Sequence, residues 1–265
     1  MAEGWLGLAG KVCVVTGGAG GLGRAIGAAF VAQGARVALL DRDAAGVAAA
    51  AAEIGALGVA CDTGDGAAVL AAAGRVGAEM GPADVLVNNA AILRPGPLAT
   101  LKLAEWNAML AVNLTGYLLC AQAFGAGMRD RGDGAIVHIA SIAASFPQGQ
   151  SGAYSPGKAG VAMLSRQLAL EWGPMGVRSN CVSPGLVRTP MSEAFYRAQG
   201  VAAARAAITP LRRYALPPDM ADAVLFLASP RAGFVTGQDL VVDGGLSQIT
   251  MGMVPRPGFE AESGV

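Results

Sequence analysis

The stretch KVCVVTGGAGGLGRAIGAAFVAQGARVALLD, Lys11 to Asp41, decides the fold. Lys11 to Thr16 is a short β-branched run halted by glycines, the pattern of a buried strand. A glycine-rich turn, TGGAGGLG, follows, and an amphipathic-to-apolar segment from Leu22 to Gln33 reads as a helix that Gly34 ends. Arg36 to Asp41 is a second strand, so the stretch is a βαβ unit. A turn built of glycines lets backbone approach a pyrophosphate, and the N-terminus of the following helix favours that anion. Asp41, at the end of the second strand, falls where a carboxylate binds ribose hydroxyls. Together these features describe a dinucleotide site.

Outward from this unit the alternation continues. Helices are expected over 44–54 and 66–80, and strands over 57–62 and from Asp84 to Ala90. A long helical region from Leu103 to Met128 leads to a strand ending at Ser141. A helix from Tyr154 to Trp172 precedes a sixth strand, Val177 to Gly185. A helix near Pro218 to Leu227 then leads to a seventh strand, QDLVVDGG. Seven strands alternating with helices imply an α/β, Rossmann-type doubly wound parallel sheet with helices on both faces. No linker or composition shift divides it, so residues 1–245 read as one domain and 246–265 as a C-terminal tail. Two helices are apolar on nearly every side, Leu103 to Met128 and the one carrying Val161, Met163, Leu164, Leu168 and Leu170. Such helices are covered on both sides, which points to a homo-oligomer, dimer or tetramer, over a thicker single-chain core. In the tail, Met251, Met253, Val254 and Phe259 are candidates for packing across a neighbouring subunit.

Composition excludes several classes. Lys plus Arg and Asp plus Glu balance at 19 each, so nothing favours a nucleic-acid or acidic-membrane surface. Cys13, Cys61, Cys120 and Cys181 lie far apart in apolar runs, and the single histidine, His138, sits inside a strand; disulfide, zinc and other metal readings fall away. The N-terminus has no basic region followed by a long apolar one, and the Ala-rich run from Ala44 to Ala52 is too short to span a membrane. The expectation is a cytoplasmic protein.

The chemistry concentrates in SIAASFPQGQSGAYSPGK, Ser141 to Lys158. If Tyr154 opens a helix, Lys158 lies one turn on along the same face. An ammonium beside a phenol lowers the phenol's pKa. Bringing a free tyrosine from ~10 towards neutrality needs about 4 kcal/mol, much of which one close cation supplies. The pair would then move protons near neutral pH.

The full set of residues resembles the short-chain dehydrogenases/reductases of the single-domain branch. The resemblance rests on Thr16-Gly17-x3-Gly21-x-Gly23, Asn88-Asn89-Ala90-Ala91, Asn113, Ser141, Tyr154-x3-Lys158 and Pro184-Gly185, in order, over about Lys11 to Gly245. It implies that Tyr154 passes a proton to or from the substrate oxygen while a hydride moves to or from a nicotinamide. It further implies that Ser141 hydrogen-bonds that oxygen, that Lys158 lowers the tyrosine pKa and binds the nicotinamide ribose, and that Asn113 holds a water continuing the proton path. Cofactor contacts would come from Gly17, Gly20, Gly21, Leu22 and Gly23, and from Asn89 and Ala90 in the groove. Asp41 and Arg42 would stand at the ribose, Cys61 and Asp62 at the adenine, and Pro184, Gly185, Val187 and Thr189 near the carboxamide. Blander roles exist: Ser141 as a strand-end cap, Asn113 as a satisfied polar group in a helix kink, Thr189 as an N-cap before Pro190. The chain departs from the family at Ala91, often Gly, and at Pro156-Gly157, usually Ala-Ser.

Asp41 repels a 2′-phosphate, and Gly20 stands where NADP-using relatives often carry a basic residue, so NAD is the expected cofactor; Arg42 is the contrary sign. The expected reaction interconverts a secondary alcohol or polyol and a ketone. The alternatives are an NADPH-dependent 3-oxoacyl thioester reductase and a catalytically inert nucleotide-binding regulator. Leu93, Arg94, Phe146 to Ser151 and the segment from Leu186 to Tyr214 would shape the substrate pocket, with Met191, Phe195 and Tyr196 on a lid. Gln148 and Gln150 suit a polyol, and Arg94 would suit an acid.

Overall fold

Parallel strands buried on both faces need near-continuous apolar runs, and β1, β2 and β4 of this chain supply them. In the computed structural model, which describes residues 4–254, β1 (Val12–Thr16), β2 (Arg36–Asp41), β3 (Leu57–Ala60) and β4 (Val85–Asn88) alternate with α1 (Gly21–Ala32), α2 (Ala44–Ile54) and α3 (Gly66–Met80). Then come α4 (Leu103–Leu110), a π-helical turn (Ala111–Thr115), α5 (Gly116–Arg131), β5 (Gly134–Ile139), α6 (Tyr154–Trp172) and β6 (Val177–Pro184). Two short helices, α7 (Glu193–Tyr196) and α8 (Val201–Ile208), precede α9 (Pro217–Ala228) and β7 (Asp239–Val242). The strands form one parallel sheet in the order β3-β2-β1-β4-β5-β6-β7.

The pleat sorts side chains by period two. Val15, Leu39 and Val87 face the layer of α1, α2 and α9 with Ile26, Phe30, Val47 and Val224. Val14, Leu40 and Leu86 face α3, α5 and α6 with Val76, Phe124, Met128 and Trp172. The order reverses between β1 and β4, and a sheet of this kind leaves a crevice at the carboxyl ends of the strands there. Thr16, Asn88 and Ile139 end neighbouring strands at that edge, which aligns the glycine turn, Asn89 and Ser141 along one line.

The helix boundaries over 44–54, 66–80 and 154–172 agree with the sequence reading. The Leu103–Arg131 region is apolar and long enough to cross a membrane, but it packs on the sheet with Tyr117, Cys120, Ala121, Phe124 and Met128 buried. It is broken by the π turn, which carries Asn113. Helix α6 buries Val161 and Leu168 and leaves Met163 and Leu170 exposed. Of the tail, Leu246–Met253 is 3₁₀ helix held by Asp243, which accepts from Gly245 and Ser247 backbone N–H; Phe259 lies outside the described residues.

At Gly157 an added Cβ would make only ordinary contacts, 3.5 Å from Leu110 and 3.7 Å from Asn113. The glycine therefore costs helix stability without being needed for space. Gly157→Ala is expected to raise the unfolding free energy by about 0.5–1 kcal/mol in urea titration, with the fold unchanged.

Candidate active site

The glycine turn is fixed by contacts only glycine permits. Gly17 has a φ of +68°, and a Cβ there would stand 2.8 Å from Asn89 Nδ2 and 2.9 Å from Ala90 Cα. A Cβ on Gly23 would strike the Gly17 carbonyl oxygen. Asn89 Nδ2 donates to Thr16 O at 2.9 Å and to Gly17 O at 3.3 Å, while Thr16 Oγ1 accepts from the backbone N–H of Asn89 and Ala90. Thus β1 and β4 lock the turn from both sides. At Gly20, by contrast, a Cβ would meet nothing within 4 Å, so the turn presents bare backbone outward. Gly20 caps α1 with no side-chain hydrogen bond and no acid in the first turn, leaving that helix end electropositive.

A cleft opens beside the turn, lined by Gly17, Asp41, Arg42, Cys61, Asp62 and Ala90 among others. Six residues assigned to the cofactor from sequence are therefore gathered in one place. Asp41 is half-buried at its edge; its two oxygens accept from the backbone N–H of Ala19 and Asp43, both at 3.1 Å, which ties the acid to the turn. Arg42 is exposed, Asp62 accepts from Gly64 N–H, and burial pushes the Cys61 thiol up to about 11. Leu22, in the first turn of α1, is partly buried against the core. On the far side Thr189 and Pro190 lie over Gly21, and Gly185 packs so closely on Asp243 that a Cβ would be 2.6 Å away. Val187 bridges Ala215, Pro184 ends β6 against Val242, and the Thr189 side chain joins Ser192 within a turn instead of capping a helix. A bare electropositive turn, an adjacent cleft and a carboxylate at its rim fit a dinucleotide.

Ser141, Tyr154 and Lys158 converge beyond this cleft. Ser141 is buried after β5, its Oγ accepting from Ala143 N–H at 3.1 Å. Burial of its ring raises the Tyr154 pKa, and a side-chain hydrogen bond with Ser141 opposes that rise. Lys158 is buried, with Nζ 2.6 Å from Ile139 O, 3.1 Å from Tyr117 Oη and 5.7 Å from the Tyr154 ring centroid. The sequence predicts a tyrosine pKa lowered by the ammonium. In this structure it is raised instead, because desolvation of the ring outweighs the hydrogen bond with Ser141. Desolvation also pushes the Lys158 amine down to about 7.

Asn113 is fully buried; its Oδ1 accepts from Ile92 N–H at 2.8 Å and its Nδ2 donates to Ile92 O at 2.9 Å. Its amide therefore braces the segment after β4. That segment is clamped again where Gly96 pairs with Ser151 across the cleft, and Gln150 there has a φ of +60°. Arg94 is paired with Glu105 at 2.8 Å, which removes it as a free anchor for an acid. In the segment after β6, Arg188 makes two 2.9 Å bonds to Glu193, and Tyr196 is buried against Tyr214 while Met191 and Phe195 are exposed. His138 is buried in the sheet between Asn88 and Ser179, a core residue as read. The sequence reading passed over two features here: Tyr117, four residues after Asn113 in an otherwise apolar helix, and the Arg188–Glu193 clasp, whose signal was an i,i+5 opposite-charge pair.

Comparison with known proteins agrees with this geometry. A family model described as Enoyl-(Acyl carrier protein) reductase matches residues 17–247. The chain is 44% identical over 244 residues to a D-threitol dehydrogenase of Mycolicibacterium smegmatis, covering 90% of this chain and 93% of that one. It is 40% identical over 244 residues to a galactitol 2-dehydrogenase (L-tagatose-forming) of Cereibacter sphaeroides, covering 90% and 95%. Among solved structures, a gluconate 5-dehydrogenase from Burkholderia cenocepacia in complex with NADP and tartrate superposes with a TM-score of 0.86 at 31% identity, over 91% of this chain and 96% of that one.

Lys158 makes the pH dependence of stability readable. Its folded pKa of about 7 lies below the ordinary 10.5. Between those values the unfolded chain holds a proton the folded one lacks, so this group's contribution to stability rises with pH across that window. Below about pH 7 its burial carries the full cost. Lys158→Met is expected to unfold at a higher temperature than the parent, with the margin widest below pH 7 and narrowing towards pH 10.5. A margin independent of pH in thermal melts would contradict the assignment.

Proposed function

The chain belongs to the short-chain dehydrogenase/reductase family, and from that premise we propose that it is an NAD(H)-dependent dehydrogenase interconverting a secondary alcohol, specifically a polyol, and its ketone. The observation that carries this is the convergence of Ser141, Tyr154 and Lys158 at the strand ends, beside the cleft rimmed by Asp41. When bound, the nicotinamide supplies or accepts the hydride. Tyr154 Oη holds the proton exchanged with the substrate oxygen, and Ser141 Oγ fixes that oxygen by a hydrogen bond. Lys158, one helical turn from Tyr154, would favour the phenolate through its charge. Asn113 and the Gly96–Ser151 pairing hold the cleft walls in place.

Asp41 supports NAD: a carboxylate held at the cleft edge by two backbone N–H groups is poorly placed to accept a second anion. The names of the threitol and galactitol relatives support a polyol, as do Gln148 and Gln150 at the exposed rim and the Glu105 partner that occupies Arg94. Exposed Met163 and Leu170 on α6 support a homo-oligomer assembled through that helix face.

The test is a panel of tetritols, hexitols, simple secondary alcohols, hydroxy acids and an acetoacetyl thioester, read by absorbance of the reduced nicotinamide. Turnover of polyols with NAD at a kcat/KM at least about tenfold above that with NADP is expected, tenfold being about 1.4 kcal/mol of discrimination. Reduction of the thioester with NADPH as the best reaction would replace this reading. Tyr154→Phe should lower kcat by about 10³-fold, within the usual range for removing a general acid/base, while the affinity for NADH, followed by its fluorescence, stays within a few-fold.

A further inference from the structure

Beneath the reactive trio lies a polar cluster that none of the expected roles uses. Among the described residues Tyr117 on α5 is the largest fully buried side chain, 1% exposed, in a small core with Ala140, Val161 and Cys181. Its ring stacks on His138 of β5, centroids 5.8 Å apart and planes 16° from parallel. Its Oη donates to Ile139 O at 3.1 Å and, its one proton so committed, accepts from Lys158 Nζ at 3.1 Å. Lys158 Nζ also donates to the same Ile139 carbonyl, at 2.6 Å, and lies 5.1 Å from the Tyr117 ring centroid. The amine is therefore held by a triangle of phenol, carbonyl and ring face, all below the level of Tyr154.

The cluster contains no carboxylate. The titratable groups facing Lys158 are Tyr154 on its own helix, Tyr117 on α5, His138 on β5 and Cys181 on β6. Burial pushes His138 down to about 3, so it is neutral, and pushes Cys181 up to about 12, so it too carries no charge near neutrality. A buried ammonium with no counter-ion depends on neutral acceptors and on the faces of rings. Here those acceptors are the Ile139 carbonyl and the Tyr117 phenol.

We propose that Tyr117 is a positioning residue for Lys158, its phenol oxygen and ring providing the dock that holds the amine charged beneath Tyr154. The role follows from the direction of the hydrogen bonds. Ile139 O is a strand-end carbonyl that any residue at position 117 would leave in place, whereas the second acceptor and the ring face come from Tyr117 alone. Loss of the phenol oxygen would leave one ammonium N–H without its present partner in a dry environment, which disfavours the charged amine. A less readily charged Lys158 would then favour the Tyr154 phenolate less. This inference rests on the dehydrogenase reading only for its kinetic consequence; the docking itself is a property of the cofactor-free protein.

Tyr117→Phe tests it while keeping the ring and its stack on His138. With only three lysines in the chain, Lys11, Lys102 and Lys158, ¹³Cε-labelled lysine gives three resonances to follow by NMR, and Lys158→Met identifies the third. In cofactor-free protein the Lys158 titration midpoint is expected to fall by about one unit in Tyr117→Phe, the size set by one hydrogen bond to a charged group. The alkaline rise of kcat for alcohol oxidation should move to higher pH, with KM for the alcohol little changed. An unmoved Lys158 midpoint in a folded variant would overturn the proposal, and so would a lowered melting temperature with no shift in the midpoint, since Tyr117 would then only fill space. Failure to find any alcohol substrate would count against the dehydrogenase reading and leave the NMR titration to decide the docking.

Discussion

The structure depends on the desolvation of one amine. Lys158 is carried by α6 into a position where helix, strand end and the π turn close over it, and no acid accompanies it. Burying a cation without a partner is unfavourable, and the fold accommodates it with a carbonyl, a phenol and two ring faces. The same dryness raises Tyr154 and lowers Lys158, so both groups are drawn out of their ordinary ranges. Perturbed groups of this kind, set in a cleft beside a nucleotide-shaped turn, are what a proton-transfer site requires.

Around that amine the remaining parts have positional tasks. The reversal of strand order between β1 and β4 creates the crevice, and the glycine turn lies across it because Gly17 and Gly23 allow backbone to touch backbone. Asn89, Thr16 and Asn113 hold loops against strands by hydrogen bonds to the backbone, so the walls of the cleft are tied to the strand ends. The loop from Phe146 to Gln150 is mostly exposed and so is open to variation, whereas Ser141, Tyr154 and Lys158 are fixed by the sheet and α6.

Much of this was legible in the residues. The βαβ unit, the seven strands and the ends of three helices follow from apolar runs, glycine stops and period, since those signals are local. The combination of Asp41, Ser141, Tyr154 and Lys158 was legible because each stands at a strand or helix end where the spacing fixes its neighbours. What was hidden depends on distant parts of the chain meeting. The π turn at Ala111–Thr115 leaves no composition signal, and it commits the Asn113 amide to Ile92. Tyr117 looked like one more apolar residue because its partners, Ile139 and Lys158, are 22 and 41 residues away. The direction of the Tyr154 shift was missed for a related reason: helical spacing places Lys158 on the right face but says nothing about how far folding desolvates the phenol.

The central claim is hydride transfer between a carbinol carbon and a nicotinamide, with the proton handled by the protein. The most direct measurement is oxidation of a polyol carrying deuterium at the reacting carbon, followed by mass spectrometry of the reduced nicotinamide and of the solvent. The account predicts one deuterium in the reduced nicotinamide and none released to water. Deuterium appearing in the solvent, with an unlabelled nicotinamide, would contradict it.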